Sequence, residues 1–216
     1  MQRVRASVSS QPVLALALGI LAVSTAAIFI RYAQAEAPSL VIAAYRLSLA
    51  ALLIAPFALS RRRAELAALG RRDLWLALLS GFFLALHFAA WITSLEYTTV
   101  ASSVVLVTTT PLWVALLSPL TLKEPLARVA AWGLILALVG GAIVGLSDAC
   151  TWSSGRLACP SFEELVAGQA FLGDALALFG AIMAAAYLLI GRSLRRRLSL
   201  ASYVFIVYGM AALALL

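Results

Sequence analysis

From His87 to Leu126 the chain reads HFAAWITSLEYTTVASSVVLVTTTPLWVALLSPLTLKEPL, and most residues able to do chemistry are gathered there. His87, the only histidine, and Trp91 are four apart and share one helical face. An imidazole in such a place binds a solute or relays a proton, or it is simply hydrogen-bonded to a neighbouring helix. Trp91 is either a cavity wall or an interfacial belt residue. Ser102 and Thr109 belong to a row of small hydroxyl residues that either line a polar path or bond helix to helix. Thr108, Thr109 and Thr110 precede Pro111, which removes a backbone donor and crowds the preceding turn. A hinge or a static kink follows, and threonine hydroxyls are suited to meet the freed carbonyls.

Other candidates lie outside this stretch. Arg46 is the one basic residue inside an apolar run. It can hold the anionic part of a substrate, pair with Glu96, or snorkel to the headgroups. Glu96 and Tyr97 fall in a short turn open to solvent. Glu124 before Pro125, and Asp174, suit helix starts, where the dipole favours an anion. Gly133 and Gly140 are seven apart, and Gly141 to Gly145 is a GxxxG, spacings that let a helix approach its neighbour. Gly173 and Gly180 repeat the seven-residue interval.

The elements that must position these residues are set by composition. Of 216 residues, 64% are hydrophobic and 12% charged, against about 25% charged in soluble domains. The class is integral membrane and all-α, because period-two alternation is absent. Seven apolar runs follow one another: Pro12–Ile30, Leu40–Leu59, Leu74–Leu95, Val100–Leu120, Val129–Leu146, Phe171–Ile190, and one from Leu200 still apolar at Leu216. The first is longer than a signal-peptide core of about 7–15 residues. The net charge of +7 does not point to nucleic acid, since the basic residues sit in short clusters between the runs. Thirteen of sixteen lysines and arginines fall on one side when the loops are numbered alternately, two on the other, and Arg46 within a span. The positive-inside rule then makes the N-terminus, residues 1–11, cytoplasmic.

That topology leaves Cys150 and Cys159 in the long outer loop, 147–170, where a disulfide persists. A bridge between them is predicted, restricting the unfolded loop by roughly 2–3 kcal/mol in the entropy model. With no CxxC and no nearby histidine, a metal site is not expected. A carboxylate ending in hydrocarbon is unfavourable, so an apolar run still open at Leu216 predicts a longer polypeptide. The sequence also resembles itself: at a shift of 160, Ala26, Ile30, Ser39, Leu40, Ala51 and Leu53 meet Ala186, Ile190, Ser199, Leu200, Ala211 and Leu213. Five helices per repeat is an odd number, which inverts the second unit, a device of secondary transporters. The expected units are 12–146 and the start of a second at 171–216.

SLEYTTVASSVVLVTTTPLWVALLSPLTLKEPL resembles the helix 3–4 signature of the EamA branch of the drug/metabolite transporter superfamily. PSLVIAAYR, ending at Arg46, resembles its helix 2, and Gly173-Asp174 with GRSLRRRLSL its second unit. Where the family tends to Gly-Glu-Arg, this chain has Lys123-Glu124-Pro125, so only Glu124 carries over. The resemblance implies ten helices in two inverted five-helix units, about seven of them present here. It also implies small-molecule transport, often export, across the bacterial inner membrane.

No HExxH, P-loop, GxGxxG or GxSxG is present, so neither an enzyme nor a cofactor is expected. The expected partners are a small-molecule substrate, membrane lipid, and a proton or counter-solute as coupling species; a homo-oligomer is compatible with such a chain. Arg46, His87, Trp91, Ser102 and Thr109 are the substrate-binding candidates, and Pro111, Glu124, Gly141 and Gly145 the structural or gating ones. The rival readings are a membrane assembly subunit, a half-transporter needing a partner chain, and a lipid-processing enzyme; the last would need an acid or histidine cluster that the sequence lacks.

Overall fold

In hydrocarbon every backbone N–H and C=O must be paired within the structure, so apolar runs of about 20 residues fold as helices. The computed structural model describes residues 10–121, 128–153, 156–159, 161, 164 and 167–216. Its elements are α1 (Ser10–Ala33), α2 (Ser39–Arg61), α3 (Arg63–Ala67), α4 (Arg71–Tyr97), α5 (Val100–Val107), α6 (Thr110–Thr121), α7 (Arg128–Ala149), β1 (Thr151–Ser153), β2 (Arg156–Ala158), α8 (Gln169–Leu194) and α9 (Leu200–Leu215). All seven apolar runs are helical. Leu16–Ala33, Ser39–Arg61, Arg71–Tyr97, Val100–Thr121 and Gln169–Leu194 are long and apolar enough to cross a membrane; Arg128–Val144 and Leu200–Leu215 are shorter.

Among the described residues the departure from all-helix is a small antiparallel hairpin, β1–β2, pairing Thr151 with Ala158. The Cys150–Cys159 disulfide closes its base. The fourth run is not one helix. It breaks at Thr108–Thr109 into α5 and α6. Asp174 does not begin its helix either, because α8 starts at Gln169.

The bundle is arranged around α4. Its buried residues, Ala77, Ser80, Gly81, Leu84, Ala85, Ala90, Trp91, Ile92, Ser94 and Leu95, follow a helical period, with the partly buried Phe88 filling the step between Ala85 and Trp91. The facing side of α8 is built of Gly173, Ala177, Gly180, Ala181, Ala184 and Ala185. Small residues on both sides let the two backbones come close, and α8 is the most extensive partner of α4. A Cβ added at Gly180 would lie 3.3 Å from the His87 carbonyl oxygen and from the Trp91 nitrogen. On another side of α4, α2 and α9 pack together through a cluster that includes Leu47, Leu84, Val207 and Ala211. The α7 glycines do not share one role. Gly133 and Gly140 face open space, and Gly141 alone approaches a neighbour, at the Leu106 side chain. Residues around Gly145 lie outside the described side chains.

The self-similarity has a structural counterpart with a one-residue correction. In the α1–α2 turn the N–H groups of Gln34, Glu36 and Ala37 donate to Ile30, Ala33 and Ala33; in the α8–α9 turn those of Arg195, Arg197 and Leu198 donate to Gly191, Leu194 and Leu194. The turns therefore correspond at a shift of 161. The helix starts, Ser39 and Leu200, also correspond at 161, whereas the buried stripes Ala43, Leu47, Ala51 and Tyr203, Val207, Ala211 keep the shift of 160. The two turns lie at opposite ends of the bundle. Near the first, Arg31 donates to the Leu95 carbonyl at 2.7 Å, at the C-terminal end of α4. Near the second, Arg197 pairs with Asp73 at 3.2 Å, at the N-terminal end of α4.

Candidate functional site

Arg46 lies about two turns into α2 and points at α4. Its guanidinium stands 5.4 Å from the Phe88 ring centre and 5.9 Å from that of Trp91. Phe88 and Trp91 are three apart on α4, so their rings are adjacent, and at these distances both attract the cation. Tyr208 of α9 lies within electrostatic range. The expected alternative, pairing with Glu96, is not what forms. Glu96 accepts from the Ser39 hydroxyl at the helix ends, while Arg46 sits deeper. Among the described residues no acceptor or carboxylate pairs with Arg46.

His87 joins the same cluster. Its ring stacks on Trp91 at 5.9 Å and meets Phe88 edge-on at 4.9 Å. Its Nδ1 lies 2.9 Å from the Gly180 carbonyl oxygen of α8. A carbonyl only accepts, so Nδ1 carries the proton and Nε2 is the acceptor of the neutral ring. The Trp91 side chain is 8% exposed, neither belt nor surface, and its indole N–H is buried with no acceptor among the described residues.

The break in the fourth run reaches the same part of α8. Pro111 has no N–H for the Val107 carbonyl four residues back, and the Thr110 hydroxyl donates to that carbonyl at 2.8 Å. Thr110 also stands 3.4 Å from the Ala181 carbonyl, next to the Gly180 carbonyl that holds His87. Thr108 donates to Val105 and Thr109 to Leu106. Thr109 in turn accepts the Trp113 indole N–H at 3.2 Å. Ser102 is fully buried with an unpartnered hydroxyl, beside a Ser94–Ser103 hydroxyl pair at 2.7 Å. The structure thus brings together Arg46, His87 and Trp91. Among the described residues, Ser102 and Thr109 make no bond to those three and belong to the interior and the break of the fourth span. Glu124 lies outside the described residues.

Sequence reasoning missed the contacts at the two ends of α4. At one end Gln34 donates to the Ile92 carbonyl and to Ser39, both at 2.8 Å, and Ser39 donates to Glu96. Thr98 donates to Asp174 at 2.8 Å. At the other end the Ser199 amide donates to Glu65 of α3 at 2.6 Å, capping α9 from outside. Desolvation opposes ionisation of Glu65, but the Ser199 amide and hydroxyl, the Ser202 hydroxyl and the Arg62 charge outweigh it and hold the carboxyl below its usual value. A second polar cluster was also unseen: the Ser80 hydroxyl lies 2.8 Å from that of Tyr203, whose ring stacks on Tyr187. Tyrosines inside apolar runs were the available signal, since a buried phenol needs a partner.

A profile of the EamA-like transporter family matches residues 10–146, from α1 to near the end of α7. No curated protein and no solved structure matches the chain.

Proposed function

The chain belongs to the EamA-like transporter family, and from that premise we propose that it moves a small-molecule solute by alternating access, in the direction of export. The membrane is the bacterial inner membrane, with the arginine-rich face and the N-terminus in the cytoplasm. The observation that carries the reading is Arg46, a charge among spanning helices with no carboxylate partner among the described residues. A charge costs about 2.5–3.5 kcal/mol at the centre of a spanning helix on insertion scales and less toward the headgroups. About two turns into α2, Arg46 is still better placed against a polar path than against lipid.

In this reading α2, α4 and α9 form the wall of the path, with His87 and Trp91 beside Arg46. The Ser39–Glu96 contact closes one end and the Ser199–Glu65 contact the other, and the two are broken in turn as the inverted units rock. His87 Nε2 is the position where a coupling proton would be taken up. The test is uptake into inside-out vesicles containing the full-length protein, with a panel of labelled amino acids, organic acids and amines. At least one compound should accumulate above empty vesicles, and Arg46→Ala should lower that uptake at least tenfold. A folded protein that moves nothing on the panel, or an Arg46→Ala variant at full rate, would overturn the proposal.

A further inference from the structure

We infer that the solute of this site carries a carboxylate or like oxyanion beside an apolar or aromatic body, an inference that rests on the transport reading above. The cluster around Arg46 is rich in donors and poor in acceptors. The guanidinium has five N–H groups, and among the described residues none has an acceptor. The guanidinium is half-buried, while the Trp91 indole N–H is fully buried without a partner among the described residues. The His87 Nδ1 proton is committed to Gly180, so it is not offered to a solute. Of the acidic side chains placed in the structure near these helices, Glu65, Asp73, Glu96 and Asp174 are engaged at the helix ends, and Glu36 is exposed in the α1–α2 turn.

Buried donors are ordinarily satisfied. The group missing from this cluster is therefore one that brings negative charge and two acceptor oxygens, and a carboxylate supplies both to a guanidinium in one plane. The aromatic faces add a second requirement. Phe88 and Trp91 leave an apolar platform next to the charge, which suits a solute whose body is apolar. A cationic solute meets Arg46 as a like charge and gains nothing from the indole N–H.

The test uses the full-length protein in nanodiscs and three compounds of one shape: 3-phenylpropionate, its amide and 3-phenylpropylamine. Ligand binding to the folded state raises its melting temperature by an amount that grows with the logarithm of [L]/Kd, so a titration gives the affinity. The carboxylate should bind at least tenfold more tightly than the amide, and the amine should give no shift. Arg46→Gln should remove that preference. Trp91→Phe, which keeps the ring and loses the N–H, should weaken the carboxylate severalfold and leave the amide unchanged; its melting temperature without ligand reports folding. Equal or tighter binding of the amide or amine, no binding of the carboxylate, or full carboxylate binding by Arg46→Gln overturns the inference. Arg46-dependent binding without vesicle uptake overturns the transport reading and leaves the site standing; uptake of a non-anionic solute alone does the reverse.

Discussion

Replacing Gly173 with alanine probes the seam that holds α8 against α4 and so fixes His87. A Cβ at Gly173 would lie 2.7 Å from the Thr98 Cβ, 2.8 Å from the Thr98 nitrogen and 3.0 Å from the Ser94 carbonyl oxygen. Non-bonded carbons rest about 3.5–4.0 Å apart, so the helices must separate there by roughly 0.8 Å. Two of the three neighbours are backbone atoms, and no rotamer change relieves them. Overpacking of this kind costs about 1–3 kcal/mol. Removing a glycine from a helix returns about 0.5–1 kcal/mol. Gly173→Ala is therefore expected to destabilise by about 0–2.5 kcal/mol, with the middle of both ranges giving about 1 kcal/mol. At Gly180 the nearest atoms are 3.3 Å away, so alanine there needs only a few tenths of an ångström and should be close to neutral. At Gly140 nothing lies within 4 Å, and alanine should be neutral or stabilise by up to about 1 kcal/mol. Thermal unfolding of the full-length variants in one detergent gives the order. Gly173→Ala melting at or above the parent, or Gly140→Ala melting lowest, would show that this seam is not packed as described.

Two more outcomes follow from the ends and the break. The Glu65 carboxyl is held below its ordinary value near 4.5, so its contribution to anchoring Ser199 is fully present above that value. It is lost as pH falls through the lower, folded-state value; Ser199 amide exchange, corrected for its intrinsic rate, should lose protection there, and equal protection in Glu65→Ala would remove the contact from the account. Thr110→Val should cost about 1–2 kcal/mol because the Val107 carbonyl loses its donor, and adding Pro111→Ala, which restores an N–H, should recover part of it. Additive losses in that pair would refute the link between the threonine and the proline.

The spans were legible because lipid leaves few choices: a run such as Leu74–Leu95 is helical whatever its neighbours. The break at Thr108–Thr109 was half legible. Pro111 announced a disturbance and the threonines its repair, but whether α5 and α6 part depends on α8, where Ala181 offers a second acceptor to Thr110. Glycine spacing was legible and its meaning was not. The interval of seven occurs in both α7 and α8, yet Gly173 and Gly180 meet α4 while Gly133 and Gly140 face open space. Spacing fixes which residues share a face, and only the docking of the helix decides what that face meets.

The cluster around Arg46 shows the same division. Its charge inside an apolar run could be read from one segment, and so could the shared face of His87 and Trp91. Their meeting could not, because it depends on α2 lying across α4 at the height of Phe88. Phe88 looked like one more apolar residue, with no polar atom to mark it. It becomes half of the platform under the guanidinium because it stands three residues before Trp91. The pairing with Glu96 looked natural in sequence since both groups are charged and opposite. A helix rises about 1.5 Å per residue, and Arg46 stands seven positions below Ser39, the residue that takes Glu96. That distance keeps the acid at the end of the bundle and leaves Arg46, about two turns deeper, with no carboxylate partner among the described residues.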